Sequence, residues 1–185
     1  MPRTIALFLR QALSNPAKVG AVAPSGRALG RLMARDLGPD SGPVIEIGPG
    51  TGSLTRAIIA AGVPQENLTL VELNEAFCHA LGRRYPRARI IHGGAQEMGA
   101  HGIAGAESVI SGLPLLNFPP ALQHDILSAV LEVLRPGGKL IQFTYGPRPP
   151  VSPEVMHSLD LGWKMRGRVW ANLPPATVYE FHRTS

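Results

Sequence analysis

The stretch Val44-Ile-Glu-Ile-Gly-Pro-Gly-Thr-Gly52 places glycines at positions 48, 50 and 52, directly after a run of Val and Ile. Glycines so placed let the backbone approach a ligand closely at the carboxyl end of a strand. A carboxylate follows at Glu72, 20 residues after Gly52 and at the end of the next apolar run, where it can accept both hydroxyls of a ribose. Together they predict a site for a nucleoside-containing cofactor. A dinucleotide site takes G-x-G-x-x-G, with a pyrophosphate on the helix N-terminus. Here the third glycine comes one residue early and an acid, Glu46, stands inside the strand. Glu46 is awkward beside a pyrophosphate and useful beside a cationic cofactor. The six histidines have no second ligand at zinc spacing, so no metal is expected.

The elements that must carry these residues follow a βα rhythm. Val44–Gly48, Leu68–Leu73, Arg89–His92, Ser108–Ser111 and Lys139–Tyr145 read as buried strands. The runs Ser53–Ala61, Glu75–Tyr85 and Ala121–Leu134 between them read as helices. Repeated βα connection predicts a mostly parallel sheet covered on both faces. After Pro153 two strand-like runs, Lys164–Trp170 and Thr177–Arg183, flank Asn172-Leu-Pro-Pro175 and predict an antiparallel hairpin at the sheet edge.

Charge divides the 185 residues unevenly. Six of the 18 basic residues (Arg3, Arg10, Lys18, Arg27, Arg31 and Arg35) precede the first acid, Asp36; the remaining 12 face 13 acids. The net +5 therefore belongs to an N-terminal segment on a near-neutral domain. In that segment Ile5, Phe8, Leu9, Ala12 and Leu13 fall on one helical face, backed by Arg3 and Arg10, until Pro16. Such a helix either packs on the domain core or lies in a lipid interface. A second helix is expected after Pro24-Ser25-Gly26, with Ser25 as N-cap, Leu29, Leu32, Met33 and Leu37 as its apolar stripe and Gly38-Pro39 as its stop. Arg27, Arg31 and Arg35 form a ridge along it. We thus expect residues 1–38 as a basic helical appendage, anchor and lid, and 39–185 as the main domain. No apolar run is long enough to span a bilayer, and the single cysteine, Cys78, excludes a disulfide framework.

The combination E-x-G-x-G-x-G at Glu46–Gly52, Leu70-Val-Glu72, Leu134-Arg-Pro-Gly-Gly138 and the terminal hairpin resembles class I S-adenosylmethionine-dependent methyltransferases. The resemblance implies their Rossmann-like α/β fold: a mostly parallel seven-stranded sheet, helices on both faces and an antiparallel terminal hairpin. It implies S-adenosyl-L-methionine as cofactor, S-adenosyl-L-homocysteine as product and no metal. Cofactor contacts would come from Glu46, Gly48, Gly50, Thr51 and Gly52, from Glu72 and Leu73, from Gly94, Ala95 and Gln96, from Ser111 and Gly112, and from Ser25.

Within that family, Ser108–Pro119 sits where rRNA adenine dimethylases carry Asn-Leu-Pro-Tyr. This chain keeps Leu113-Pro114 but has Gly112 for the Asn that binds the exocyclic amine and Leu115 for the Tyr that stacks on the base. Such stacking is worth ~1–3 kcal/mol per base, so nucleobase methylation is disfavoured. Gly94 stands where those enzymes place an Asp against the adenine, and Gln96 could take over its hydrogen bond. The full pattern, with Phe8-Leu-Arg10, Asn15-Pro-Ala-Lys18, Gly20–Ser25, Ser111-Gly-Leu-Pro114 and Phe143-Thr-Tyr-Gly146, resembles bacterial phospholipid N-methyltransferases of the soluble, rRNA-dimethylase-like type. That resemblance implies stepwise methylation of phosphatidylethanolamine toward phosphatidylcholine, on an anionic membrane surface at the cytoplasmic, inner leaflet.

On this reading Ser111 and the Leu113 backbone carbonyl orient the substrate amine and Tyr145 receives it. Arg148 holds the lipid phosphate, while Ile5, Phe8, Leu9, Arg10 and Lys18 dock on the bilayer. No nucleic acid is expected, and a monomer is the simplest state. The competing functions are an RNA adenine N6-methyltransferase, a small-molecule methyltransferase and a cofactor-binding scaffold without catalysis.

Overall fold

A computed structural model describes residues 26–172 and 174–184. The expected N-terminal helix, with Ile5, Phe8, Leu9, Arg10 and Lys18, and the position Ser25 fall outside the described residues.

Helix α1 spans Arg27–Met33, and β1 (Val44–Ile47), α2 (Ser53–Ala60), β2 (Leu68–Glu72), α3 (Glu75–Arg84) and β3 (Arg89–His92) follow. Next come a 3-10 segment at Ala95–His101, β4 (Ala106–Ser111), a 3-10 turn at Leu115–Asn117, α4 (Pro120–Val133) and β5 (Leu134–Thr144). The chain closes with α5 (Pro153–Ser158), β6 (Leu161–Val169) and β7 (Ala176–Arg183). All seven strands form one sheet in the order β3-β2-β1-β4-β5-β7-β6. The first five are parallel, and β7 is antiparallel to both β5 and β6. The expected fold class is the observed one.

Burial on both faces explains why the strands read as apolar runs instead of alternating ones. Ile45 and Ile47 of β1 point into a core under α4, with Val109, Ile126 and Val130. Val44 points the other way, into a core under α1, α2 and α3 with Leu29, Met33, Ile58 and Leu81.

Several elements differ from expectation. The strand β5 begins at Leu134 and takes in Arg135-Pro-Gly-Gly138, because Leu134 pairs with Ala106 before a register shift. The helix α5 was not anticipated; Pro153 at its first turn looks like a breaker, yet Ser152 caps it by accepting the Val155 N–H. Helix α1 ends at Met33, five residues short of Gly38, capped by a turn at Ala34. Asp36 then leaves the helical path to meet the buried Arg166 of β6, Lys139 of β5 at 3.1 Å and the neighbouring Arg35. Ion pairing to the antiparallel edge overrides the helical propensity of Arg35–Leu37.

The residue at the helix start is Gly26, which carries no side-chain cap; its N–H donates to Asn172 Oδ1 at 3.2 Å. Leu29 and Met33 are fully buried, so this second helix is built into the domain core.

Candidate functional site

At the carboxyl end of the parallel strands the backbone carries ladder bonding past the last strand residue. Gly48 N–H donates to Val71 O at 3.0 Å, Gly93 N–H to Glu72 O at 3.0 Å and Gly112 N–H to Ile47 O at 2.9 Å. Three turns are thereby gathered at one mouth: 48–52, 72–74 and 111–115. Gly48, Gly50 and Gly52 have φ of 69°, 53° and 77°, the left-handed region that favours glycine. Glycine is needed at 48 and 112 for a second reason. A Cβ on Gly112 would stand 2.6 Å from the Gly48 carbonyl oxygen, and one on Gly48 would stand 2.7 Å from Leu113.

Glu72 is 3% exposed and holds two of these turns. Its Oε2 accepts the Gly50 N–H at 2.9 Å and its Oε1 the Asn74 N–H at 2.8 Å. Each carboxylate oxygen retains a further lone pair for a ligand hydroxyl. Behind it lies a narrow slot walled by Gly48, Leu73, Gly94, Ala95, Leu113 and Ile126. Above Gly94 sits the Gln96 amide, and its buried Oε1 has no hydrogen-bond partner. Apolar walls with a carboxylate at the rim have the character a nucleoside site needs, and the Gln96 amide stands beside this slot without forming part of its wall.

Glu46 behaves otherwise than its sequence position suggests. It is fully buried on the α2 side of β1, accepting the Thr55 hydroxyl at 2.6 Å while its Oε1 has no partner. Desolvation pushes its pKa up to about 8, further raised by Glu72 and opposed by the Thr55 bonds. Burial thus holds the carboxyl toward its neutral form. What it does is tie α2, immediately after the glycine turn, to the strand before it.

The Leu113 carbonyl also needs correction as an orienting group for an amine. It already accepts the Gln142 side-chain amide at 3.0 Å and the Leu115 N–H at 2.9 Å. Two donors use both of its lone pairs. Ser111 is buried at the end of β4, and its hydroxyl accepts the Leu113 N–H at 3.3 Å, so it shapes the turn from within. Leu115 is 1% exposed and belongs to the core, whereas its neighbour Leu116 is 56% exposed.

Tyr145 lies just beyond β5, half-buried and edge-on to Phe143 at 5.4 Å. Burial pushes its phenol pKa up, against a hydrogen bond with the Asn172 side chain. Asn172 also receives the Gly26 N–H and donates to the Pro174 carbonyl, so it joins Tyr145, the start of α1 and the hairpin tip. Sequence reasoning missed it, reading Asn172-Leu-Pro-Pro175 only as a separator. Thr144 and Arg168 both pair with Thr177, which puts the hairpin tip at the same end of the sheet as the glycine turn. Trp170 on that tip is 72% exposed, with the Arg168 guanidinium 4.3 Å from its ring centre. Arg148 is exposed on the 145–152 loop, and Tyr179 pins that loop by donating to the Pro147 carbonyl. His92 sits 3.1 Å from the Leu73 carbonyl, a structural contact.

Residues 44–138, just over half of the chain, match the family described as "Methyltransferase domain". This chain is a class I S-adenosylmethionine-dependent methyltransferase. It is 31% identical to an ornithine lipid N-methyltransferase of Singulisphaera acidiphila over 149 residues, covering 76% of this chain and 78% of that one. It is 37% identical to the ribosomal RNA small subunit methyltransferase A of Sinorhizobium medicae, covering 80% of this chain but only 57% of the relative. Among solved structures, a 1,6-didemethyltoxoflavin-N1-methyltransferase from Burkholderia thailandensis with bound S-adenosylhomocysteine superposes with a TM-score of 0.71. That match is 17% identical and covers 99% of this chain and 91% of the other, and it speaks for the fold. No helix among the described residues is long and apolar enough to cross a membrane.

Proposed function

We propose that this methyltransferase N-methylates the headgroup amine of phosphatidylethanolamine, and of its mono- and dimethyl forms, toward phosphatidylcholine. It works from the cytoplasmic side, docked on the inner leaflet of the cell membrane. The observation that carries the choice of an aminolipid over a nucleobase is the Gly112–Gly48 contact. A side chain at 112 would run into the Gly48 carbonyl, so an amide clamp for an exocyclic base amine has no room there. The stacking position fails as well, because Leu115 is buried beneath the turn. Similarity to a lipid N-methyltransferase over most of both chains supports the same reading.

Bound S-adenosyl-L-methionine supplies an electrophilic methyl group on a sulfonium cation. Gly48, Gly50, Thr51, Gly52, Glu72, Leu73, Gly94, Ala95 and Gln96 would hold it, with Ser111 and Gly112 shaping the floor. The ethanolamine ammonium gives one proton to solvent, and its nitrogen lone pair forms the new N–C bond. The cofactor would supply the methyl group and leave as S-adenosyl-L-homocysteine. Tyr145, braced by Asn172, positions the amine, and its ring stabilises the methylammonium that forms. Arg148 pairs with the lipid phosphate. Trp170 and Leu116, both exposed at the mouth, insert at the headgroup level, where an indole ring is favoured.

The test is transfer of labelled methyl to vesicles containing phosphatidylethanolamine and an anionic lipid, resolved by lipid class. Label in methylated ethanolamine lipids, rising with anionic lipid, is expected. Label appearing only when ornithine lipid replaces phosphatidylethanolamine moves the substrate to that aminolipid. Label in neither, with cofactor binding intact, overturns the lipid reading in favour of RNA or a small amine.

A further inference from the structure

A large groove separate from the slot beside Glu72 lies on the outer face of α1 and α2. It is an open groove of about 1100 Å³ whose lining includes Arg27, Arg31, Arg35, Arg56 and Arg84 and, among the described residues, no Asp or Glu. These arginines come from three elements far apart in sequence, so a helical charge ridge does not account for them. Gly30 makes the groove possible. A Cβ there would stand 2.7 Å from the Ala57 Cβ, so α1 and α2 close against each other and their arginines flank one trough. Its floor is apolar, with Ala57, Ile59 and Leu37 among its lining.

The pairing of these cations is lopsided. Arg35 is engaged by Asp36 and by the Arg166 carbonyl. Arg56 donates to the Ser53 hydroxyl, and Arg84 lies 5.7 Å from the Tyr85 ring centre. No carboxylate of a described residue lies within ion-pair distance of Arg27, Arg31, Arg56 or Arg84. Elsewhere on the same fold, Arg87, Arg135 and Arg166 are each paired with an acid, and the exposed arginines without one, such as Arg148 and Arg183, do not line this groove. Like charges gathered without counter-charge repel one another unless an anion joins them.

We infer that the α1–α2 groove is a binding site for an anionic phospholipid, distinct from the methyl-acceptor site. Guanidinium groups take the phosphate diester in bidentate fashion, and the first acyl carbons lie on the alanine and leucine floor. An amphiphile is favoured over a free phosphate or an RNA strand because the trough joins a cationic rim to an apolar bed and, among the described residues lining it, presents no exposed aromatic ring for a base to stack on. Ser53 and Arg56 lie in the first turn after the glycine loop, so an occupied groove sits beside the cofactor turn. The inference rests on the groove's own geometry and holds whichever amine is methylated.

It is tested with vesicles that contain no aminolipid, so that binding is read without turnover. Flotation of the full chain would compare phosphatidylcholine vesicles with ones in which about one lipid in three is phosphatidylglycerol. Arg31→Gln/Arg56→Gln should bind the anionic vesicles roughly thirty-fold more weakly, from two basic contacts. Cofactor affinity and melting temperature should be unchanged, since both side chains are exposed. The charge-keeping pair Arg31→Lys/Arg56→Lys separates a built site from a diffuse positive field. Failure to restore binding supports the site; full restoration overturns it. Dihexanoyl phosphatidylglycerol below its micelle concentration should compete, and inorganic phosphate at equal concentration should not. Equal competition by phosphate, or stronger displacement by single-stranded RNA, would also overturn the assignment.

Discussion

The Gly50 amide and the Glu72 carboxylate are hydrogen-bonded at 2.9 Å, so the tip of the glycine turn is held by the acid that ends the next strand. The two residues lie 22 positions apart, and one side chain both braces the turn and rims the cofactor slot. Glu72→Gln puts an amide where one of two N–H donors expects an acceptor. Cofactor affinity should fall about ten- to hundred-fold, with a loss of a few degrees in melting temperature. Isothermal titration with S-adenosylhomocysteine checks it, and an unchanged Kd would refute the role of Glu72.

Gly112→Ala tests the close approach of the two turns. Its methyl would stand 2.6 Å from the Gly48 carbonyl, and that atom is backbone, which cannot swing aside. We expect a loss of about 1–3 kcal/mol in denaturant unfolding, together with weakened cofactor binding. Gly112→Asn should behave worse and should not create adenine methylation in an RNA assay.

Glu46 makes stability depend on pH in an unusual direction. Its folded pKa of about 8 lies above the ordinary 4.5, so the folded chain binds the extra proton between those values. That contribution is complete below about pH 4.5 and is lost as pH rises through 8. Glu46→Gln keeps an acceptor for Thr55 and removes the titration. Its melting temperature should exceed that of the unmodified chain by roughly 5–10 °C at alkaline pH and match it in mild acid. Parallel melting curves across the range would contradict the assignment.

Asp36 has the opposite sign. Burial alone would raise its pKa, but Lys139, Arg166 and Arg35 outweigh that and hold it below 3.8. Its stabilisation is present above the ordinary pKa and is lost as pH falls through the lowered one. Asp36→Asn leaves the buried Arg166 with Glu180 alone, at 3.6 Å. Because Asp36 itself is partly exposed, the cost should be about 1–3 kcal/mol in chemical denaturation at neutral pH.

Tyr145→Phe separates ring from hydroxyl. If Tyr145 positions the amine through its hydroxyl, kcat should drop about ten- to hundred-fold with cofactor Kd unchanged. Asn172→Ala, which removes the brace, should lower kcat less and also loosen the start of α1. Loss of rate in Asn172→Ala with none in Tyr145→Phe would assign the effect to the hairpin tip.

The alternation of apolar runs and helical stretches predicted the parallel sheet, and the reversed last strands were legible from the change of rhythm after Pro153. The turn at Gly48–Gly52 and its partner Glu72 were legible too. Both rest on local requirements, a backbone that must adopt positive φ and an acid one βα unit later, which residue type and spacing express directly. What tertiary structure decided is which polar groups are free. Glu46 is pushed toward its neutral form because α2 covers it, the Leu113 carbonyl is engaged because Gln142 reaches it from β5, and Leu115 is buried while Leu116 is exposed. The arginine groove needed α1 laid against α2 through Gly30 and Ala57 before cations from separate elements shared one trough. Charge state, lone-pair occupancy and shared cavities depend on neighbours distant in sequence, and only packing brings those neighbours together.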